Sequence, residues 1–374
     1  MNILVQLVHP AHFYYYRDTI NNLKSNGHNV IVAITTKDIL EEIVSAAGVD
    51  YVNICPNPLK GKYRWGLIYD MIIRDLRMIK LAIRNKVDLI SGSSVESAHI
   101  GWLLRKPNIN IGEDDAHIVP KYTNNIAPFV DVRLSPYACD NGKIEHKSVH
   151  FPGFWKLAYL HPNRFTPSIE KVKQYGIDTE KPYFLLRFSA LNAHHDKGVK
   201  GISTEIAQHI IDILSPYGKI YITSERKLEP QFEPYRIKIN PLDIHHVMAF
   251  ATLYIGDSQS MAVEASMLGV PALRFNDFVG KKKIGVMEEL EHVYGLTYGI
   301  SSHEPQQLYD KIQELIAIPN LHEEFQSRRQ RMLDEKIDVT AFLTWFLENY
   351  PASAVQHAEN DDFWQQFGTE AATV

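Results

Sequence analysis

Runs of β-branched and apolar residues alternate with stretches of helical periodicity from the first residue of the chain. Ile3-Leu4-Val5-Gln6-Leu7-Val8 suits a buried strand, and His9-Pro10 ends it before a helix predicted over about 11–26. Gly27 supplies the C-cap of that helix. Val30–Ile34 reads as a second strand, 37–47 as a second helix and Tyr51–Ile54 as a third strand. A longer helix over about 67–85 leads into Leu89-Ile90-Ser91, followed by a helix near 97–105 and the short strand Asn108–Ile111. Such alternation predicts parallel strands joined by right-handed crossovers, hence an open, doubly wound sheet.

The pattern lapses over 151–168, FPGFWKLAYLHPNRFTPS, which carries three prolines among many aromatics and reads as a connection between domains. It resumes with Tyr183–Phe188, a helix over about 202–214, Ile220–Thr223, a helix near 244–250, Leu253–Ile255, a helix over about 261–268, and Ala272–Phe275. A second parallel sheet is therefore predicted. Helices follow Pro305 through about 331 and again over 339–349, and beyond Pro351 comes a polar tail with Phe363, Trp364 and Phe367 as apolar anchors. The expected organisation is a first domain over 1–155, a second over 156–335, and a C-terminal helix with a partly mobile tail over 336–374.

Length agrees with two domains, since 374 residues exceed the usual single domain and 45% are hydrophobic. A net charge of −5 gives no general electrostatic reason to bind nucleic acid or an anionic membrane, which leaves only a local basic patch for either. Cys55 and Cys139 lack any zinc or disulfide spacing and read as reduced thiols in a cytoplasmic protein. No secretory signal and no apolar run of membrane-spanning length is visible, so any work at a membrane, such as its inner face, would be done from the surface.

Two tandem α/β domains form a cleft at the carboxyl ends of their strands, where such sheets bind ligands. Gly256-Asp257-Ser258-Gln259-Ser260 joins a strand to a helix start whose free amides can hold a phosphate. Asp257 and Ser258 equally fit simple helix caps. Glu264, one turn on, can accept hydrogen bonds from ribose hydroxyls. Arg187 and Ser189 end the first strand of the second domain, and a guanidinium there can fork onto a diphosphate. In the first domain, His9 and His12 follow the first strand, and an imidazole there suits a general base or a phosphate partner. Glu113, Asp114 and Asp115 follow another strand, where clustered carboxylates can raise one another's pKa or simply form a solvated turn. The run 193–198, AHHDKG, lacks the spacing of a metal site, and no metal is expected. His245-His246 reads as a surface pair, and Lys281-Lys282-Lys283 as an exposed charge run.

Three segments, ILVQLVHPAHFYYYRDTINNLKSNGHNVIV, LLRFSALNAHHDKG and YIGDSQSMAVEASMLGVPALRFNDF, resemble the DUF354 family of bacterial proteins, related to GT-B glycosyltransferases and UDP-N-acetylglucosamine 2-epimerases. The resemblance spans about 1–300 and implies a GT-B-like α/β fold of two Rossmann-like doubly wound domains facing a central cleft. Against the epimerase pattern D-S-G-G-x-x-E-E, Asp257, Ser258 and Glu264 match, while Gln259 and Ser260 replace both glycines and Val263 the first glutamate. It further implies that Ser258, Ser260 and Met261 approach the diphosphate and Glu264 the ribose, that His12 is favoured over His9, and that Glu113 matches an epimerase glutamate. The epimerase aspartate has no counterpart in 91–94, and the epimerase histidine gives way to the Arg187 region. The expected activity is metal-independent transfer of a sugar from a nucleotide-sugar substrate to a glycan or lipid-linked acceptor, with no bound cofactor. A UDP-HexNAc 2-epimerase-like enzyme and a non-catalytic sugar-nucleotide-binding protein are the alternatives.

Overall fold

The computed structural model describes residues 1–58, 66–189, 201–281, 283–356 and 362–368. It divides into two compact units, Met1–Arg164 with Lys336–Val374, and Phe165–Glu335.

The first unit holds seven strands: β1 (Asn2–Leu7), β2 (Asn29–Thr35), β3 (Val52–Cys55), β4 (Leu89–Gly92), β5 (Asn108–Ile111), β6 (Val132–Pro136) and β7 (Ser148–Phe151). All pair in parallel, in the order β3-β2-β1-β4-β5-β6-β7. The crossovers include α1 (Pro10–Ser25), α2 (Leu40–Ala46), α3 (Gly66–Arg84) and α4 (Val95–Leu104). Pro10 starts α1 without losing a helical hydrogen bond, and Gly27, at φ +85°, takes the left-handed turn after its end. Leu4 and Ile90 from the sheet meet Met78, Ala82 and Ile100 from α3 and α4 in one buried cluster. Each of the leucine, isoleucine and methionine side chains contributes roughly 1.5–3 kcal/mol of burial.

The second unit holds β8 (Tyr183–Phe188), β9 (Lys219–Ser224), β10 (Leu253–Gly256), β11 (Ala272–Asn276) and β12 (Thr297–Ser301). Their order is β12-β11-β10-β8-β9, again all parallel. In both sheets the chain reverses its direction of winding beside the first strand, between β1 and β4 and between β8 and β10. Those switch points are where an open α/β sheet leaves room for a ligand at its carboxyl edge.

The chain leaves the first unit at Arg164 rather than at 155. Trp155, Lys156 and Leu157–Leu160, read from sequence as connection, are buried in the first unit, and Thr340 of the returning helix Val339–Glu348 donates to the Ala158 carbonyl at 2.6 Å. Asp338, fully buried, pairs with Arg164 at 2.6 Å. Both cysteines are buried free thiols. Among the described residues no helix is long and apolar enough to cross a membrane. Residues 193–198, 282, 357–361 and 369–374 lie outside the described residues.

Candidate functional site

In the second unit the predicted residues converge on the carboxyl ends of β8 and β10. Arg187 pairs with Gly256 across the strands, and Gly256 with Arg274, so two arginines flank a glycine on one face of the sheet. Gly256 is required there, because a Cβ would stand 2.5 Å from Tyr254 Oη. Tyr254 is fully buried, its pKa pushed well up by that burial, and its hydroxyl has no hydrogen-bond partner among the described residues. The same is true of the buried Nε atoms of Arg187 and Arg226. Arg187 is otherwise ion-paired with Glu225, and Arg226 lies over the Phe188 ring at 5.1 Å and donates to the Ile202 carbonyl at 2.5 Å. Unpaired buried N–H and O–H groups are costly in a folded protein, and an anion would satisfy them.

Asp257 and Ser189, both predicted at the phosphate, bond to each other. The Ser189 amide donates to Asp257 Oδ1 at 2.7 Å, and the Ser189 hydroxyl also binds this carboxylate. The Asn276 side chain donates to the Asp257 carbonyl at 3.1 Å. Burial raises the Asp257 pKa. Ser258 Oγ caps the helix Gln259–Met267 by accepting the Met261 amide at 3.4 Å, so the Met261 N–H is already engaged. The amides of Gln259 and Ser260 remain in the first turn, where an α-helix cannot bond them internally, and the Ser260 side chain is exposed. Glu264 meets His245 Nε2 at 3.4 Å.

His245 and His246 are buried, at 4% and 9% exposure, which corrects the surface pair read from sequence. His246 Nδ1 accepts the Ser168 amide at 3.1 Å and its ring packs on Phe165 at 4.7 Å, while His245 faces Glu264. A separate cavity of about 210 Å³ is lined by the buried Arg274, its ion-pair partner Glu291 and the turn Phe278–Gly280.

In the first unit, Glu113 and His12 follow β5 and β1. The Gly112 turn is fixed by the Arg133 guanidinium, which fills the space of a Cβ there, and by Trp155 Nε1 donating to the Gly112 carbonyl at 3.0 Å. Glu113 Oε1 accepts the Tyr15 hydroxyl at 2.9 Å and pairs with Lys156 Nζ, which also donates to Tyr15 Oη at 2.7 Å. Lys156 is 2% exposed. Burial alone would lower its pKa, but Glu113 and Tyr15 overcome that and hold it protonated. Glu113 Oε2 is buried without a hydrogen-bond partner among the described residues. The three carboxylates of 113–115 have separate surroundings: Asp115 is buried and accepts the Asp140 amide at 2.7 Å, and Asp114 is exposed.

His12 is pushed down to about 3 by burial, with His9, Lys37 and Lys156 adding repulsion. Its Nδ1 accepts the Val8 amide at 3.5 Å, which places the proton of the neutral ring on Nε2 and makes that nitrogen a donor. His9 Nδ1 accepts the Ala11 amide at 3.2 Å and so serves the start of α1. In the turn after β4, Ser94 caps α4 and bonds Gln6, and within β4 Ser91 bonds the Tyr16 hydroxyl at 2.7 Å.

Sequence reasoning missed Lys156, Tyr15, Arg226 and Tyr254. A lysine inside the aromatic run FWKLAYL was the available signal for the first, and an arginine two residues past a strand for the third.

No protein-family model matches the sequence, and no curated protein matches it. Solved structures do. The UDP-GlcNAc 2-epimerase of Neisseria meningitidis bound to UDP-GlcNAc is similar at a TM-score of 0.64 and 13% identity, over 93% of this chain and 100% of that one. MnaA of S. aureus with UDP gives 0.66 at 12% identity, over 94% and 97%. The spinosyn rhamnosyltransferase SpnG with thymidine diphosphate gives 0.60 at 14%, over 93% and 100%. These likenesses show the fold: two Rossmann-like, parallel-sheet α/β units of the GT-B kind.

Proposed function

We propose that the chain is a glycosyltransferase that binds a nucleoside-diphosphate sugar at the carboxyl ends of β8, β9 and β10 and transfers the sugar to a glycan or lipid-linked acceptor. The observation that carries this reading is the set of buried donors without a hydrogen-bond partner among the described residues, Arg187 Nε, Arg226 Nε and Tyr254 Oη, beside a helix start. Fixed donors of this kind stabilise the charge that develops on a leaving diphosphate as its bond to the anomeric carbon breaks, with no metal required. Glu264 takes the ribose hydroxyls, and its contact with His245 holds it in place. The similar structures that hold UDP, UDP-GlcNAc or thymidine diphosphate support the nucleotide as the ligand class. Kinship with the DUF354 family rests on the three segments that resemble it.

For the first unit we assign the proton of the attacking acceptor hydroxyl to Glu113, whose buried Oε2 has no hydrogen-bond partner among the described residues, and a hydrogen-bond-donating role to His12 Nε2. The epimerase alternative is weakened by the turn after β4, where Ser94 is committed to capping α4 and to Gln6.

Incubation with UDP-, GDP-, CMP- and dTDP-sugars, with and without a glycan acceptor, tests the reading. Acceptor-dependent nucleotide release supports transfer, whereas isomerised or hydrolysed sugar without acceptor establishes the epimerase-like alternative. Tight binding with no turnover under any combination establishes a non-catalytic binding protein.

A further inference from the structure

Helix α3 is apolar on two sides. Met78 and Ala82 are buried in the core of the first unit, yet Tyr69, Ile72, Leu76 and Ile83 are 55%, 49%, 57% and 63% exposed. Spaced by three, four and seven residues, these four fall on one stripe of the helix. Exposed Arg77, Lys80 and Arg84 run along one edge of that stripe by the same periodicity.

Helix α4 packs beside α3, with Arg74–Glu96 at 2.5 Å and Asp75–His99 at 3.5 Å fixing their register. One turn beyond His99 it presents Trp102 and Leu103 at 59% and 55% exposure, followed by the exposed Arg105. Six of the fourteen large exposed apolar side chains among the described residues thus lie on two neighbouring helices, whereas isolated exposed apolar residues are ordinary.

We propose that α3 and α4 form a docking face for the surface of an anionic lipid bilayer. Charge selects this occupant. The chain as a whole carries −5, but the acids of these two helices are buried or paired, Asp70 at 4% exposure, Asp75 with His99 and Glu96 with Arg74, while the cations remain exposed. A two-fold contact with a second copy would gather the cations of both copies at one interface, whereas anionic headgroups complement them. Tyr and Trp beside aliphatic residues suit the headgroup boundary, where an amphipathic helix lies in the plane of the membrane. The face lies in the first unit and uses none of the nucleotide-site residues, so its failure and that of the transferase reading are separable.

Vesicle co-sedimentation of the full chain tests the proposal, comparing phosphatidylcholine with phosphatidylcholine–phosphatidylglycerol mixtures. Binding is expected to the anionic vesicles only, and to fall as salt is raised. The pair Lys80→Gln and Arg84→Gln should lower the partition coefficient by about fivefold per lost cation. The pair Leu76→Ser and Ile83→Ser should abolish detectable binding, with an unchanged thermal midpoint because both side chains are exposed. Equal partition on both vesicle types, no partition at all, or undiminished binding by either pair overturns the proposal. So does a wild-type dimer in sedimentation that Leu76→Ser with Ile83→Ser dissociates while neither form binds lipid.

Discussion

The Ser189 amide donates to Asp257 Oδ1 at 2.7 Å, tying the carboxyl end of β8 to that of β10 at the switch point of the second sheet. With Oδ1 engaged in this way, Asp257 would shape the proposed phosphate site rather than bind phosphate itself. Asp257→Asn, which keeps an acceptor oxygen, should therefore leave nucleotide affinity unchanged or tighter in titration calorimetry. Asp257→Ala, which leaves a buried N–H unmatched, should cost about 1–3 kcal/mol of stability. A tenfold loss of affinity in the asparagine variant would mean that Asp257 contacts the ligand directly.

Arg226 is expected to bind the ligand as strongly as Arg187, although only Arg187 was conspicuous in the sequence. In the proposed site each half-buried guanidinium would supply a charge-assisted hydrogen bond, so either arginine-to-alanine change should weaken sugar-nucleotide binding by roughly tenfold to a hundredfold. Equal affinity in Arg226→Ala would remove it from the site.

The alternation of strand and helix made both sheets legible, because parallel strands fully buried on both faces read as apolar runs. β6 escaped notice since Arg133 and Ser135 interrupt its pattern, and both are buried by hydrogen bonds: Arg133 to Asn110 at 2.6 Å and to Asn141 at 2.7 Å, Ser135 to Asn141 at 2.6 Å. Lys156 escaped because its partner Glu113 lies 43 residues away, and no local pattern announces such a pair. The histidines at 245–246 looked exposed since adjacent polar residues usually are, and only the tertiary contacts with Phe165 and Glu264 bury them.

Lys156→Ala should destabilise the first unit by about 3–5 kcal/mol, because it strands a largely buried carboxylate. Adding Glu113→Gln to that variant should recover part of the loss. Denaturant titration of the single and double variants checks this, and an additive double variant would show that the two residues do not act as a pair.

Stability should also fall with acidity through His12. Its imidazole titrates near 3 in the folded chain, against 6.5 for the unperturbed group. Between those values the unfolded chain binds more protons, so the contribution of His12 is complete above about pH 6.5 and is lost as pH falls toward 3. The thermal midpoint of His12→Asn should accordingly drop less between neutral and acidic buffer than that of the wild type. Parallel curves would contradict the burial of a neutral ring.

The most direct measurement is a thermal-shift titration of the wild type and the Arg187→Ala, Arg226→Ala double variant with UDP-, GDP-, CMP- and dTDP-sugars. Ligand at a hundred times its Kd adds about 2.7 kcal/mol to the native state. At least one sugar nucleotide should raise the wild-type midpoint by several degrees, and the double variant should not respond. No rise with any of the four classes, or an equal rise in the double variant, would contradict a sugar-nucleotide site at the ends of β8, β9 and β10.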